Sequence, residues 1–183
     1  MDGLEVKLTR YDELIALAAA KKPRALLEIG VHRGMRARHL KAHCERYYGF
    51  DLWEEGNPDT DRRELNGKGR STRAQAEAAL AGCDYELIAG DTRITLAKFA
   101  QRGILIDFVF IDGGHSIETI SSDWYWSKQM LAPGAVVVFD DYYEPERDGF
   151  GCNRIVNEIP HEILSGDQDK ETFIRIVKYT HPS

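Results

Sequence analysis

From residue 24 to the C-terminus, short apolar runs alternate with segments patterned as helices. The runs RALLEIG (24–30), YYGFDLW (47–53), YELIAG (85–90), IDFVFID (106–112) and AVVVFDD (135–141) predict strands, and HEILS and TFIRIVKY add two more near the end. Several are apolar at successive positions, as strands covered on both faces require. Helical spacing falls at about 10–21, 34–45, 71–82, 92–102, 116–131 and 151–159. In the fifth of these, Ser116 is placed to cap the first turn. Ile117, Ile120, Trp124, Ser127 or Lys128, and Leu131 then share one face, and Pro133-Gly134 ends the helix. Strand–helix alternation with crossovers of this length predicts an α/β fold: a mostly parallel seven-stranded sheet with helices on both faces. The last two strands, in HEILSGDQDKETFIRIVKY, are joined by a polar connection too short for a crossover helix, so a C-terminal antiparallel hairpin is expected. Ligands of such sheets bind at the C-terminal strand ends.

The length of 183 residues suits one domain, 1–183, with residues 1–23 as an N-terminal helical extension. Apolar residues make up 43% of the chain, and the formal net charge of −6 provides no basic field for a nucleic acid, so no nucleic-acid partner is expected. Cys44, Cys83 and Cys152 are far apart and odd in number, which suggests neither a disulfide framework nor a zinc knuckle and fits a reducing, cytoplasmic setting. MDGLEVKLTR has no apolar signal core, and no run approaches a membrane span.

The segment LLEIGVHRGMRARHL (26–40) reads as strand, glycine turn and helix, bringing Gly30 and Gly34 to a place of close backbone approach. A dinucleotide turn G-x-G-x-x-G needs glycine where this chain has His32. Glu28 precedes the turn, Asp51 ends the second strand where a ribose diol is commonly held, and Asp91 follows the third in IAGDT. Capping of a following helix is the alternative for each of these two aspartates. Asp112 ends the fourth strand and Asp140-Asp141 the fifth, so all three carboxylates are expected at one sheet edge. Such a cluster either suits a hard divalent ion or braces loops. His115 stands three residues beyond Asp112 in DGGHS, as a base near neutral pKa or as a loop cap.

These motifs resemble the class I S-adenosylmethionine-dependent methyltransferases, with their Rossmann-like sheet, over nearly all of the chain. IDFVFIDGGHSIET followed by LAPGAVVVFDDYY is most similar to the metal-dependent macrocin and mycinamicin type sugar O-methyltransferases, and more distantly to catechol O-methyltransferase. The resemblance implies that Gly30 and its neighbours hold the methionine part of S-adenosylmethionine, Glu28 its amino end, Asp51 the ribose and Asp91 the adenine side. Gly34 and Asp112 complete the cofactor set. It further implies Asp112, Asp140 and Asp141 as ligands of a divalent metal such as Mg²⁺, with His115 as base. The turn GVHRG departs from the glycine-rich versions and sets His32 and Arg33 beside the cofactor, with Arg33 facing either its carboxylate or solvent.

The polar stretch 54–70 is long for an unstructured connection and is expected to be a lid, with plain mobile surface as the alternative; Tyr142, Tyr143 and Phe150 either wall an acceptor pocket or pack under their loop. In DWYWSKQM, Tyr125 and Trp126 point away from the Trp124 face, which leaves a homo-oligomer contact open. The expected activity is methyl transfer to a hydroxyl of a small molecule, including a natural-product sugar, helped by a divalent metal. The alternatives are a metal-independent methyltransferase acting on N or O, and a non-catalytic S-adenosylmethionine-binding domain.

Overall fold

The computed structural model describes residues 9–56, 64, 69, 71–169 and 171–183. Most of the expected lid over 54–70 lies outside the described residues. The strands are β1 (Ala25–Ile29), β2 (Arg46–Asp51), β3 (Asp84–Ala89), β4 (Ile106–Ile111), β5 (Leu131–Glu144), β6 (Glu162–Asp169) and β7 (Thr172–Thr180). They form one seven-stranded sheet in the order β3-β2-β1-β4-β5-β7-β6. The first five strands pair in parallel, while β5–β7 and β7–β6 are antiparallel, as the short terminal connection requires.

Six α-helices cover the sheet among the described residues: α1 (Arg10–Lys21), α2 (Ala37–Leu40), α3 (Arg73–Leu80), α4 (Thr92–Ala100), α5 (Ile117–Ser127) and α6 (Asn153–Val156). Strand alternation divides the core in two. Leu26, Phe108, Phe110 and Val138 pack with Leu14 and Ala18 of α1, Leu40 of α2 and Leu80 of α3. Leu27, Ile29, Val109, Ile111 and Phe139 pack on the other face with Leu96 and Phe99 of α4, Ile120 of α5 and Val156 of α6. Burial of this kind contributes about 1.5–3 kcal/mol for each large apolar side chain.

Several boundaries differ from the sequence expectation. The helix expected at 34–45 begins only at Ala37, because Gly34 has φ +77°, outside the helical region, and it ends in a 3₁₀ turn at Lys41–His43. The helix expected to run to 131 stops at Ser127, and β5 begins at Leu131. On α5 the buried face is Thr119, Ile120, Asp123 and Ser127, more polar than the face expected from apolar spacing. Trp124 and Trp126 both pack partly against the core, while Tyr125 is half exposed. The residues GDQD (166–169), expected to link the hairpin, belong to β6 itself. No helix among the described residues is long and apolar enough to cross a membrane.

Candidate active site

β1 lies between β2 and β4, so the winding reverses there and a crevice opens beyond the C-terminal ends of the strands. A cavity of about 420 Å³ occupies it, within the range of small-molecule sites. Gly30, Asp51, Trp53, Asp91, Asp112 and Gly113 are among the residues that line it. The Asp112 N–H donates to Ile29 O (2.9 Å), and a Cβ on Gly30 would lie 1.9 Å from Asp112 O. Only glycine, at φ +92°, allows the β1 and β4 ends to approach this closely.

Asp51 accepts the His32 N–H (2.7 Å) and the Trp53 N–H (3.0 Å), while the Trp53 indole donates to His32 O (2.9 Å). The carboxylate thus fixes the first turn while facing the cavity, where its remaining lone pairs suit a diol. Asp91 caps α4 through the Arg93 N–H (2.9 Å) and pairs with the Arg93 side chain, which lowers its pKa. The capping alternative therefore holds for Asp91, although it also lines the cavity. His32 lines the cavity as well, whereas Arg33 is exposed.

Two residues of the implied cofactor set stand elsewhere. Glu28 is buried on the α1 face of β1, accepts the Tyr47 hydroxyl (2.6 Å) and does not line the cavity. Burial pushes its carboxyl up to about 8, against the pull of the Tyr47 hydrogen bond. A Cβ on Gly34 would lie 2.5 Å from Ala79 Cβ, so this glycine serves the packing of α3.

The acidic edge lies at an irregularity of β5. Val138 belongs to the α1 face and Phe139 to the opposite face, and Tyr142 returns to the Phe139 face, so Asp140 and Asp141 together stand opposite Ile176 of β7. A bulge in the β5–β7 pairing between Phe139 and Tyr142 frames both residues, and Asp141 has φ +62°. Asp140 accepts Arg10 Nη1 at Oδ1 (2.9 Å) and the Tyr11 hydroxyl at Oδ2 (2.9 Å). Burial and the charges of Asp112 and Asp141 raise its pKa, and Arg10 opposes them. Asp112 faces Arg36 Nη2 at 3.7 Å. Asp141 pairs with His115 Nδ1.

The metal centre expected from Asp112, Asp140 and Asp141 is therefore not what these residues build. A divalent ion needs several oxygens converging on one point. Here each β5 carboxylate is already held by side chains of the chain itself, Asp140 by Arg10 and Tyr11 and Asp141 by His115. Among the described residues no group of three or more His, Cys, Asp or Glu side chains is gathered to hold a metal.

His115 is 2% exposed and does not line the cavity. The Gly151 N–H donates to His115 O (3.0 Å), and Ser116 forms a bridge with Phe150, so residues 149–151 lie across it. Tyr143 is buried in the core, and none of Tyr142, Tyr143 and Phe150 lines the cavity. The two glycines before His115 also have packing reasons: a Cβ on Gly113 would meet Ile29 Cγ2 at 2.7 Å, and one on Gly114 would meet Thr119 Cγ2 at 2.6 Å. Glu64 lines the cavity and accepts the Ser116 N–H (3.1 Å).

Sequence reasoning missed Arg10, Tyr11, Arg36 and the buried Asp123. One signal was available: Arg10 opens α1, where a positive charge opposes the helix dipole and therefore needs partners. It finds them in Asp140 and in Asp167 (3.3 Å).

Residues 27–142, more than half of the chain, match the model of a family described as a methyltransferase domain. A search of curated protein sequences found no match. Solved structures share the fold. The O-methyltransferase TomG from Streptomyces achromogenes, involved in tomaymycin synthesis and bound to SAM, is 17% identical with a TM-score of 0.71, covering 94% of this chain and 79% of that one. An O-methyltransferase from Bacillus cereus bound to SAH is 17% identical with a TM-score of 0.70, covering 98% and 84%. The N-methyltransferase NodS from Bradyrhizobium japonicum is 18% identical with a TM-score of 0.63, covering 95% of each chain. With the sheet, the crevice and the family match in agreement, the chain belongs to this family of methyltransferase domains.

Proposed function

We propose that the protein binds S-adenosylmethionine in the β1–β4 crevice and transfers its methyl group to a hydroxyl of a small molecule, with His115 as base. The observation that carries the cofactor reading is the cavity at the topological switch point, lined by Asp51 and by the closely packed Gly30 and Asp112. When bound, the cofactor supplies an electrophilic methyl on a sulfonium. Asp51 is placed to accept the ribose hydroxyls, while Phe50 and Trp53 offer apolar walls for a nucleoside. With Nδ1 held by Asp141, His115 Nε2 would take the acceptor proton as the oxygen gains its methyl. Nε2 is buried in this structure, so the acceptor reaches it only when this edge of the site opens.

No step is routed through a metal, because the carboxylates that would bind one are engaged as described above. Among acceptors, a natural-product sugar hydroxyl stands within this reading, and the net charge of −6 favours a small molecule over a nucleic acid. His115→Ala is expected to lower kcat by roughly 10²-fold while leaving S-adenosylhomocysteine affinity unchanged, measured by single-turnover kinetics and calorimetry. Unchanged turnover would favour a second reading suggested by the burial of His115: the His115–Asp141 pair is structural, and the acceptor is a nucleophile, such as an amine, that reacts without this base.

A further inference from the structure

We infer that Arg10, on the first turn of α1, occupies the electrostatic place of a divalent cation at this sheet edge, so the site works without metal. Three carboxylates, Asp112, Asp140 and Asp141, emerge from β4 and β5, and left alone they would repel one another strongly in a buried setting. The chain answers each with its own partner. Arg10 Nη1 lies 2.9 Å from Asp140 Oδ1, Arg36 Nη2 lies 3.7 Å from Asp112 Oδ2, and His115 Nδ1 bonds Asp141.

Tyr11 ties the two guanidinium groups together. Its hydroxyl accepts Arg10 Nη2 (2.9 Å) and donates to Asp140 Oδ2 (2.9 Å), while the Arg36 guanidinium carbon stands 4.0 Å from the centre of its ring. Asp167 of β6 takes Arg10 Nε at 3.3 Å and holds the guanidinium from its outer side. The Arg10 side chain is only 14% exposed and that of Asp140 only 2%, so this pair is not a surface contact screened by solvent. A hydrated divalent ion entering here would have to displace a guanidinium already bonded to both the carboxylate and the tyrosine. Removing one partner of such a pair leaves an uncompensated buried charge, which is the condition under which a cation would be drawn in.

A metal site selects acceptors by chelation, which favours two neighbouring oxygens. A site neutralised by arginine has no such requirement. The acceptor class that follows, a molecule presenting a single nucleophilic oxygen, rests on the methyl-transfer reading above; cation exclusion does not.

Manganese(II) chloride is the probe, followed by the loss of the free-ion electron paramagnetic resonance signal on binding. The wild-type protein is expected to show no Mn²⁺ binding that Asp140→Asn removes. Arg10→Met, checked for folding by circular dichroism, is expected to gain a site at least about ten-fold tighter than any in the wild type, and the added Asp140→Asn to abolish it. Arg10→Lys, which keeps the charge, is expected to behave as wild type. An Asp140-dependent Mn²⁺ site in the wild-type protein would overturn the inference, and so would a folded Arg10→Met that gains none. If Arg10→Met does not fold, the wild-type arm still decides. Because binding is read without turnover, the result is separate from whether His115 acts as a base.

Discussion

Asp123 shows at the scale of one residue what apolar periodicity cannot reveal. It lies fully buried on α5, where its burial first, then the Thr92 hydrogen bond and the charges of Asp91, Glu64 and Arg93, set its titration; the net effect raises it from 3.8 to about 7. In the unfolded chain the carboxyl loses its proton near its ordinary value, whereas in the folded protein it keeps it up to about 7. Between these values the folded state binds the extra proton, so stability falls as pH rises from about 4 to about 7, then levels off. The slope is on the order of 1 kcal/mol per pH unit. Glu28, pushed up to about 8, acts in the same direction over a slightly higher window. Asp123→Asn is expected to flatten this decline, read from urea denaturation midpoints at pH 5, 6 and 7; an unchanged slope would mean that Asp123 does not hold its proton in the fold.

Other single residues were legible in part. Asp51 and Asp112 follow strands in the sequence and do reach the cavity, because the end of a strand fixes where its next residue emerges. The partners of Asp140 and Asp141 were not legible. They come from residues 130 and 26 positions away, Arg10 and His115, and no local pattern encodes such a distance.

Among the elements, α1 illustrates how a local signal comes to serve the site. Thr9 caps it: its hydroxyl accepts the Asp12 N–H (3.2 Å), and Asp12 Oδ2 accepts the Thr9 N–H (3.0 Å). This capping box fixes the first turn, and the first turn carries Arg10 and Tyr11 to Asp140. Thr9→Ala is expected to cost about 1 kcal/mol of stability, measured by urea denaturation. A loss within error would show that tertiary contacts alone hold the turn.

β5 makes the complementary point. Its apolar run announces a buried strand, but the bulge at its end, which sets Asp140 and Asp141 together opposite Ile176, is not encoded in apolar periodicity. Helix lengths were less legible. Gly34 adopts a left-handed turn that a simple apolar period does not register, and α6 is a four-residue turn between segments held by other contacts.

Over the whole molecule, the most legible feature was the sheet's architecture, seven strands, mostly parallel and closed by an antiparallel hairpin, since strand–helix alternation and a short terminal connection allow little else. The winding sets the crevice between the β1 and β4 ends, which makes the cofactor reading a consequence of topology as much as of motif. The surroundings of residues 142–151 were not legible: Tyr142, Tyr143 and Phe150 do not line the cavity, and their packing is set by distant partners.

The most direct measurement is calorimetric titration of S-adenosylhomocysteine into the wild-type protein and into Asp51→Ala. Saturable one-to-one binding to the wild type is expected, weakened at least about ten-fold in the variant. Absence of saturable binding to the folded wild-type protein would contradict the cofactor reading.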